Sequence, residues 1–218
     1  MGSQTILDLI ASTMVFGSLL LMALRLNIGN TENLQSYRMD LVVQENLVEV
    51  SQLLEDDFKR MGYCLDASKI PNPSLTVRYA DSIKIKFLTD FPTDAPGTTG
   101  WRGDGDLDSI TYYVGPTSEA TNTPNPNDRK LYRVENNATP VGVNLGVTTF
   151  DLQYFDALRN RLPSPVPDPR LIQYMQITIE VQNYAKIGGQ MNTATFDTVY
   201  QSAFWRQVRI VAKNLRNR

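Results

Sequence analysis

The chain has 218 residues and is nearly balanced in charge, with 21 Lys and Arg residues against 23 Asp and Glu residues. No basic block is present, so nothing predicts a surface that follows a nucleic-acid backbone. There is no histidine and only one cysteine, Cys64. Histidine-based catalysis, an intrachain disulfide and a cysteine-rich zinc site are therefore excluded. This composition favours a structural or binding protein, and we expect no catalytic residue and no resident cofactor.

An uncharged apolar segment, LIASTMVFGSLLLMAL, occupies residues 9–24. With its flanks it approaches the ~20 residues that a helix needs to cross a bilayer. Its apolar side chains surround the whole helix, which is typical of a helix packed in lipid or among other helices. No basic residue precedes the segment, so a cleavable secretory signal is not favoured. A membrane anchor and a helix that later packs in a filament core both stay open.

Five residues of this region are candidates for assembly contacts. Asp8 is its one acid, and a carboxylate in lipid is costly unless it is paired. The alternative is that Asp8 lies at the membrane interface, where water and the helix dipole satisfy it. Ser12, Gly17 and Ser18 are small enough to let helices approach closely. Arg25 follows the apolar segment.

A second helical pattern follows, with Asn30 or Thr31 as a candidate N-cap. Apolar residues then recur at spacings of three and four, at Val43, Leu47, Val50, Leu54, Phe58 and Met61. Gly62 is the expected stop. Residues 1–61 are therefore predicted to form one nearly continuous helix. Its weak point is residues 27–33, because Gly29 costs about 1 kcal/mol relative to alanine.

The rest of the chain is predicted to form β-strands and turns. Alternating patterns at residues 82–87 and 175–182 indicate a half-buried antiparallel sheet. Weaker candidates are residues 109–114, 130–135, 149–155 and 200–211, with a hairpin turn at 135–138. Segments rich in Pro, Gly, Asn and Asp are predicted as surface loops: 91–105, 116–128 and 162–169.

The predicted fold class is thus α+β, with a long N-terminal helix packed on an antiparallel β-sheet head that carries long loops. The helix has an apolar half and an amphipathic half. We predict three parts: an apolar membrane or filament-core helix over 1–29, an amphipathic helix that docks on the head over 30–63, and a β-rich head over 64–218.

Two clusters in the head have possible binding roles. Asp104, Asp106 and Asp108 alternate in DGDLDS and could hold a hard cation such as calcium, although a solvated turn is the simpler interpretation. Basic residues near the C-terminus could form a contact strip: Arg206, Arg209, Lys213 and Arg216. The alternative is an edge strand whose charges guard it against aggregation. Cys64 is expected to be a small buried apolar residue.

The order of these parts resembles the type IV pilin and pseudopilin superfamily, closest to its PilW-like or J-type minor members. Six stretches carry the likeness, in the order expected for the family. They are the apolar helix that continues into residues 41–61, LLEDDFKRMGY at 53–63, GDLDSITYYVG at 105–115, KLYRVENN at 130–137, VTTFDLQYFD at 147–156, and a late strand closed by LRNR at 215–218.

Family members carry a basic leader, a glycine before the cleavage point and a glutamate as fifth mature residue. Here only Met1 and Gly2 precede Ser3, so cleavage after Gly2 would make Asp8 the sixth residue. The leader is therefore atypical. Either Asp8 takes the place of the glutamate, one position out of register, or the resemblance ends at this point.

This resemblance implies a structural subunit of a type IV pilus-like filament or pseudopilus that polymerises through its N-terminal helix. The implied partners are copies of itself or other pilin-like subunits, the inner-membrane assembly machinery, and the bilayer before assembly. Nucleic acid is not expected as a partner. The implied location is the membrane before assembly, then an extracellular filament or a periplasmic pseudopilus. Calcium, known in some pseudopilins, is the one ion to consider. The alternative is a single-pass membrane-anchored binding module that uses its long loops.

Overall fold

One long helix, α1, runs without a break over Gly2–Lys59. The computed structural model describes residues 2–70, 72–92, 103–123, 125–136, 138–183 and 203–211. The prediction of a nearly continuous helix is confirmed, whereas the predicted N-cap at Asn30 or Thr31 is wrong. The Thr31 hydroxyl donates to the Asn27 carbonyl at 2.9 Å, within the helix, where the backbone amides already have helical partners. The boundary predicted between residues 29 and 30 falls inside this helix and stays a prediction.

The C-terminal half of α1 lies with one face on a β-sheet. The predicted apolar stripe is confirmed, because its members are buried apart from Leu47, which is partly buried: Val43, Val50, Leu54, Phe58 and Met61. The helix ends at Lys59, and Gly62 follows with a φ of 73°, a conformation that glycine adopts without steric cost. Each fully buried large apolar side chain contributes about 1.5–3 kcal/mol, so this stripe fixes the helix on the sheet.

Seven described strands form a single antiparallel sheet in which each strand pairs with its neighbours in sequence. They are β1 (Val77–Ala80), β2 (Lys84–Thr89), β3 (Asp108–Val114), β4 (Arg129–Glu135), β5 (Val141–Phe155), β6 (Tyr174–Gln182) and β7 (Ala203–Val211). The α1 helix contacts β5, β6 and β7, and its Phe58 ring lies 5.1 Å from that of Phe87 on β2. The predicted α+β fold is confirmed.

Most strands lie where the alternating patterns predict them. In β6, Met175, Ile177 and Ile179 are buried toward the helix, while Thr178 and Glu180 lie on the other face. The predicted hairpin between β4 and β5 is also confirmed, since Asn136 has a φ of 50° and the Ala138 amide donates to the Glu135 carbonyl at 3.0 Å. Residues 200–202 of the last predicted strand lie outside the described residues.

Two strands differ from the prediction. The four-residue strand β1 was not predicted, because its burial does not alternate and gives no period of two. The strand β5 begins at Val141 instead of residue 149. Its first part, VGVNLG, contains two glycines and lies outside the predicted strand. Gly146 has a φ of 73° at an irregularity between β4 and β5. The pairing with β4 nevertheless continues through this bulge, which a local sequence pattern does not reveal.

Two of the predicted surface loops contribute buried residues. In the proline-rich segment 162–169, Val166 is buried and its amide donates to the Ala80 carbonyl of β1 at 2.8 Å. In segment 116–128, Ala120, Asn125 and Asp128 are buried. The prediction of exposed loops is therefore wrong at these positions, because backbone hydrogen bonds and single apolar side chains attach the segments to the sheet. Residues 93–102 of the third loop lie outside the described residues.

A partly buried ion pair holds the end of α1 on the sheet. The Asp57 carboxylate accepts hydrogen bonds from Arg133 of β4, at 2.6 Å from Nε and 3.3 Å from Nη2. The Tyr112 hydroxyl of β3 also donates to Asp57. Burial and the nearby carboxylate raise the pKa of Tyr112 above its ordinary value, so the hydroxyl keeps its proton and acts as a donor. The charge of Asp57 is thus compensated inside the helix–sheet interface.

Candidate functional site

The apolar half of α1 is a candidate assembly surface. None of the described side chains from Ile6 to Val42 is buried. By length and composition, α1 is the one described helix that could cross a membrane. A helix rises about 1.5 Å per residue, so the first buried residue, Val43, lies about 60 Å from the start of α1. The head therefore leaves this long apolar surface uncovered.

The five predicted assembly residues all lie on this surface. Asp8, Ser12, Ser18 and Arg25 are exposed, and a Cβ added to Gly17 would meet nothing within 4 Å. The Ser12 and Ser18 hydroxyls donate to carbonyls one turn earlier in the helix, which satisfies them without another partner. At 100° per residue the five do not share one face. Asp8 lies with Ser12, and Ser18 lies with Arg25. The assembly role stays a prediction.

An acidic cluster forms at adjacent ends of β2 and β3. Asp90 follows β2 directly, Asp108 begins β3, and pairing of Thr89 with Asp108 brings the two strand ends together. Asp104 joins them, since its amide donates to the Phe91 carbonyl at 3.4 Å. One carboxylate oxygen from each of the three residues lies within 4.8 Å of the others. Carboxylates this close repel one another unless a cation or protons compensate them.

Two of the three predicted acids belong to this cluster, and one does not. Asp104 and Asp108 are members, whereas the exposed Asp106 forms a salt bridge with Lys69 at 2.5 Å. The hydrogen bond to Asp106 raises the pKa of the Lys69 ammonium. Sequence reasoning missed Asp90, because only the pairing of β2 with β3 brings it beside residues 14 and 18 positions later.

Asp90 is the buried member of the cluster, with 1% of its surface exposed. Its Oδ2 accepts hydrogen bonds from the amides of Leu65, at 2.8 Å, and Gly105, at 3.1 Å. Its Oδ1 has no hydrogen-bond donor among the described residues. A Cβ added to Gly103 would lie 1.8 Å from Oδ1, so this oxygen lies directly against the backbone that leads into Asp104.

The single cysteine lies beside this cluster. Cys64 is buried, as predicted, and its Sγ lies 3.9 Å from the Gly105 carbonyl. It forms no disulfide. Burial raises the pKa of the thiol, and the neighbouring Asp90 carboxylate acts in the same direction. The thiol therefore keeps its proton at neutral pH and is a poor nucleophile.

The predicted basic strip is not continuous in the described residues. Arg206 and Arg209 are three residues apart in β7, so they point to opposite faces of the sheet. Arg206 faces α1 and forms a salt bridge with Glu55 at 2.7 Å. Arg209 lies on the other face, where its Nε donates to Gln176 Oε1 at 3.1 Å. Lys213 and Arg216 lie outside the described residues, and the contact strip stays a prediction.

A polar depression of about 250 Å³ lies on the sheet face opposite α1. Its lining includes Glu180, whose two carboxylate oxygens accept from Thr149 and Gln182, each at 2.9 Å. Arg129 also lines it and forms no salt bridge with any described residue. Thr117 and Asn127, from the 116–128 loop, close one side. The depression could hold a small polar molecule.

Asp128, near this depression, is fully buried, and neither carboxylate oxygen has a hydrogen-bond donor among the described residues. Burial raises the pKa of this carboxyl above the ordinary value of 3.8. The nearby Thr123 hydroxyl, which donates to the Ala120 carbonyl, lowers the pKa of Asp128 by less than burial raises it. The folded chain thus binds the Asp128 proton more tightly than the unfolded chain does.

This difference predicts how Asp128→Asn changes the pH dependence of stability. Stability linked to a raised pKa is present at low pH and is lost as pH rises through the folded-state pKa. We expect the wild type to lose stability relative to Asp128→Asn as pH rises from about 4 towards 7, measured by urea denaturation. Asp156→Asn is the control of opposite sign, because hydrogen bonds from Asn160 lower the pKa of Asp156. Parallel profiles for wild type and Asp128→Asn would contradict the prediction.

Comparison with solved structures finds this chain similar to a type IV-like pilin from Thermus thermophilus. The TM-score is 0.44 and the sequence identity 10%, over 79% of this chain and 97% of that chain. No protein-family model matches the chain, and no curated protein matches it.

Proposed function

We propose that this protein is a structural subunit of a type IV pilus-like filament or pseudopilus, and that its subunits assemble through the apolar half of α1. The observation that carries the proposal is the uncovered apolar helix described above. A helix that is apolar on all sides and touches nothing in its own head requires an apolar environment. The bilayer supplies that environment before assembly, and neighbouring copies of the same helix supply it afterwards.

The two charged residues in the apolar half of α1 are compatible with a bundle formed by copies of this helix. Between residues 1 and 31, Asp8 and Arg25 are the only charged side chains. They are 17 residues apart, about 26 Å along the helix, and cannot pair with each other. In a bundle of staggered copies, each could pair with a group on a neighbour, which would fix the axial register. An unpaired charge in such a core would be costly, so the pairs would disfavour other registers.

The head is suited to an outer layer. Its core lies between α1 and the sheet, and the opposite face of the sheet carries polar side chains such as Gln176, Thr178 and Glu180. Partners in this scheme are copies of the chain or other pilin-like subunits, together with the inner-membrane assembly machinery. The subunit would lie in the membrane before assembly and in an extracellular filament or periplasmic pseudopilus afterwards. The role is architectural and needs no catalytic residue.

Imaging the full chain tests this proposal. The protein is purified in detergent, the detergent is removed, and the sample is examined by electron microscopy. We expect fibres whose core contains residues 9–24 buried among copies, which a helical reconstruction would show. Dispersed particles that stay monomeric in detergent or lipid, alone and with co-expressed pilin-like subunits, would overturn the proposal.

The second candidate is a membrane-anchored binding module. The polar depression favours it, because Arg129 has no ionic partner among the described residues and the 116–128 loop forms one wall. A small anionic or sugar-like ligand would suit this lining. Under this candidate the full chain stays monomeric in a bilayer, and Arg129→Ala removes ligand binding without affecting membrane insertion.

A further inference from the structure

We propose that the polar depression on the sheet face opposite α1 binds an acidic sugar, and that Arg129 holds the carboxylate of that sugar. Strands β4, β5 and β6 and the 116–128 loop contribute its lining. Its volume of about 250 Å³ is below that of sites for drug-sized ligands, which favours a single sugar ring. The inference rests on the binding role given above to the second candidate, and it applies equally to a monomer and to a filament subunit.

The guanidinium of Arg129 is the charged donor of this depression. Arg129 begins β4 and is partly buried. Its side chain forms no salt bridge and no hydrogen bond with any described residue. A guanidinium presents five N–H donors in a planar fork, and a carboxylate can accept two of them side by side. A ligand carboxylate would therefore supply the partner that the head does not.

Other polar groups of the lining also lack partners. The side chains of Thr117, Asn127 and Thr148 form no hydrogen bond with any described residue. The Thr148 hydroxyl oxygen is buried as well, and buried hydroxyls are rarely left without a partner. By contrast, each carboxylate oxygen of Glu180 already accepts a hydrogen bond from a neighbouring side chain at 2.9 Å. The unused hydrogen-bonding capacity thus consists of one cation, two hydroxyls and one amide, which suits a ligand rich in oxygen atoms.

The charges of the lining favour a singly charged ligand that also carries hydroxyl groups. Arg129 and Glu180 are its charged residues and have opposite signs. A phosphate monoester, with a charge of about −1.5 to −2 at pH 7, would be repelled by Glu180 more strongly than a carboxylate would. Each oxygen of Glu180 has a second lone pair, so it can still accept from a ligand hydroxyl. A sugar acid combines the carboxylate that Arg129 requires with the hydroxyls that Glu180 can bind.

Titration of the full chain in deuterated detergent with sodium glucuronate tests the inference, with binding followed by saturation-transfer NMR of the sugar protons. Glucose is the matched ligand, because it has a hydroxymethyl group in place of the carboxylate. We expect saturable binding of glucuronate and at least about tenfold weaker binding of glucose. Equal binding of the two sugars would overturn the carboxylate assignment but leave the depression a binding site. No saturable binding of either up to about 10 mM, tenfold above a weak Kd of about 1 mM, would overturn both.

Two variants locate the sugar. Arg129→Gln keeps an amide donor but removes the charge, so we expect glucuronate to bind at least about tenfold more weakly and glucose to bind as before. Arg78→Gln is its control and should bind as the wild type does, because Arg78 is an exposed residue of β1 outside the lining. Thr148→Val should weaken binding of glucuronate without lowering Tm, because the hydroxyl that it removes has no described partner. Unchanged glucuronate affinity in Arg129→Gln, with Tm at the wild-type value, would overturn the inference.

Discussion

Replacing Asp57 with alanine is expected to lower the free energy of unfolding by about 1.5–3 kcal/mol, because the change removes charged hydrogen bonds and leaves a buried hydroxyl without its acceptor. Asp57 is 4% exposed and accepts two hydrogen bonds from Arg133 and one from Tyr112. Without the carboxylate, the buried Tyr112 hydroxyl loses its acceptor, and the partly buried Arg133 keeps only its ion pair with Glu135. Urea denaturation of the full chain in a fixed detergent would measure the loss.

The neighbouring ion pair of Arg133 provides the control. Arg133 also contacts Glu135, whose side chain is 50% exposed. Exposed ion pairs contribute about 0–1 kcal/mol, so Glu135→Gln should change stability little. A joint replacement, Asp57→Leu with Arg133→Met, should recover part of the loss, because apolar side chains then pack where the single variant leaves a partly buried charge. Equal destabilisation by Asp57→Ala and Glu135→Gln would show that burial of this pair is unimportant.

Replacing Leu20 with arginine is expected to abolish assembly and to weaken membrane insertion. An arginine at the centre of a membrane helix costs about 2.5–3.5 kcal/mol on insertion scales, a factor of roughly 10² in an equilibrium constant. In a helix bundle the cost would recur at every subunit. Fibre yield by electron microscopy and the fraction of protein that sediments with membranes are the two measurements.

Leu171 on the head provides a matched control for Leu20. The two leucines are almost equally exposed in the isolated chain, at 52% and 51%. Leu171→Arg should leave both fibres and membrane sedimentation at wild-type levels, since Leu171 lies in a short helical turn of the head. If Leu20→Arg assembled as well as Leu171→Arg did, the apolar half of α1 would not be the assembly surface.

The spacing of apolar residues predicted those elements whose pattern is contained in a short stretch of sequence. The spacing of Val43, Val50, Leu54 and Phe58 predicted both the amphipathic helix and its buried face, because the same face recurs every three or four residues. The same spacing could have revealed Asp57, which lies three residues after Leu54 on that face. A charged residue is not expected on a buried face, and only the opposing Arg133 shows that Asp57 belongs to the interface.

Features that depend on strand pairing could not be predicted locally. Asp90 meets Asp104 and Asp108 because Thr89 pairs with Asp108, and no short motif encodes that register. The predicted contact strip stays untested, but its two described members show how strand geometry separates residues that are close in sequence. Arg206 and Arg209 look adjacent in sequence, but a strand turns residues three apart to opposite faces. Val166 was missed because a single apolar residue among prolines has no period at all.

The docking of α1 on β7 has a consequence for the order in which the protein can fold. Glu55 on α1 and Arg206 on β7 are 151 positions apart. The helix is therefore synthesised long before β7, the last strand of the sheet against which it packs. Contacts this distant in sequence are slow to form, because a long loop must close first. During that interval the apolar stripe from Val43 to Phe58 would be exposed to solvent and could form non-native contacts with other chains. Insertion of the apolar half into a bilayer would hold each nascent chain at the membrane surface, apart from its neighbours, until its last strand arrives.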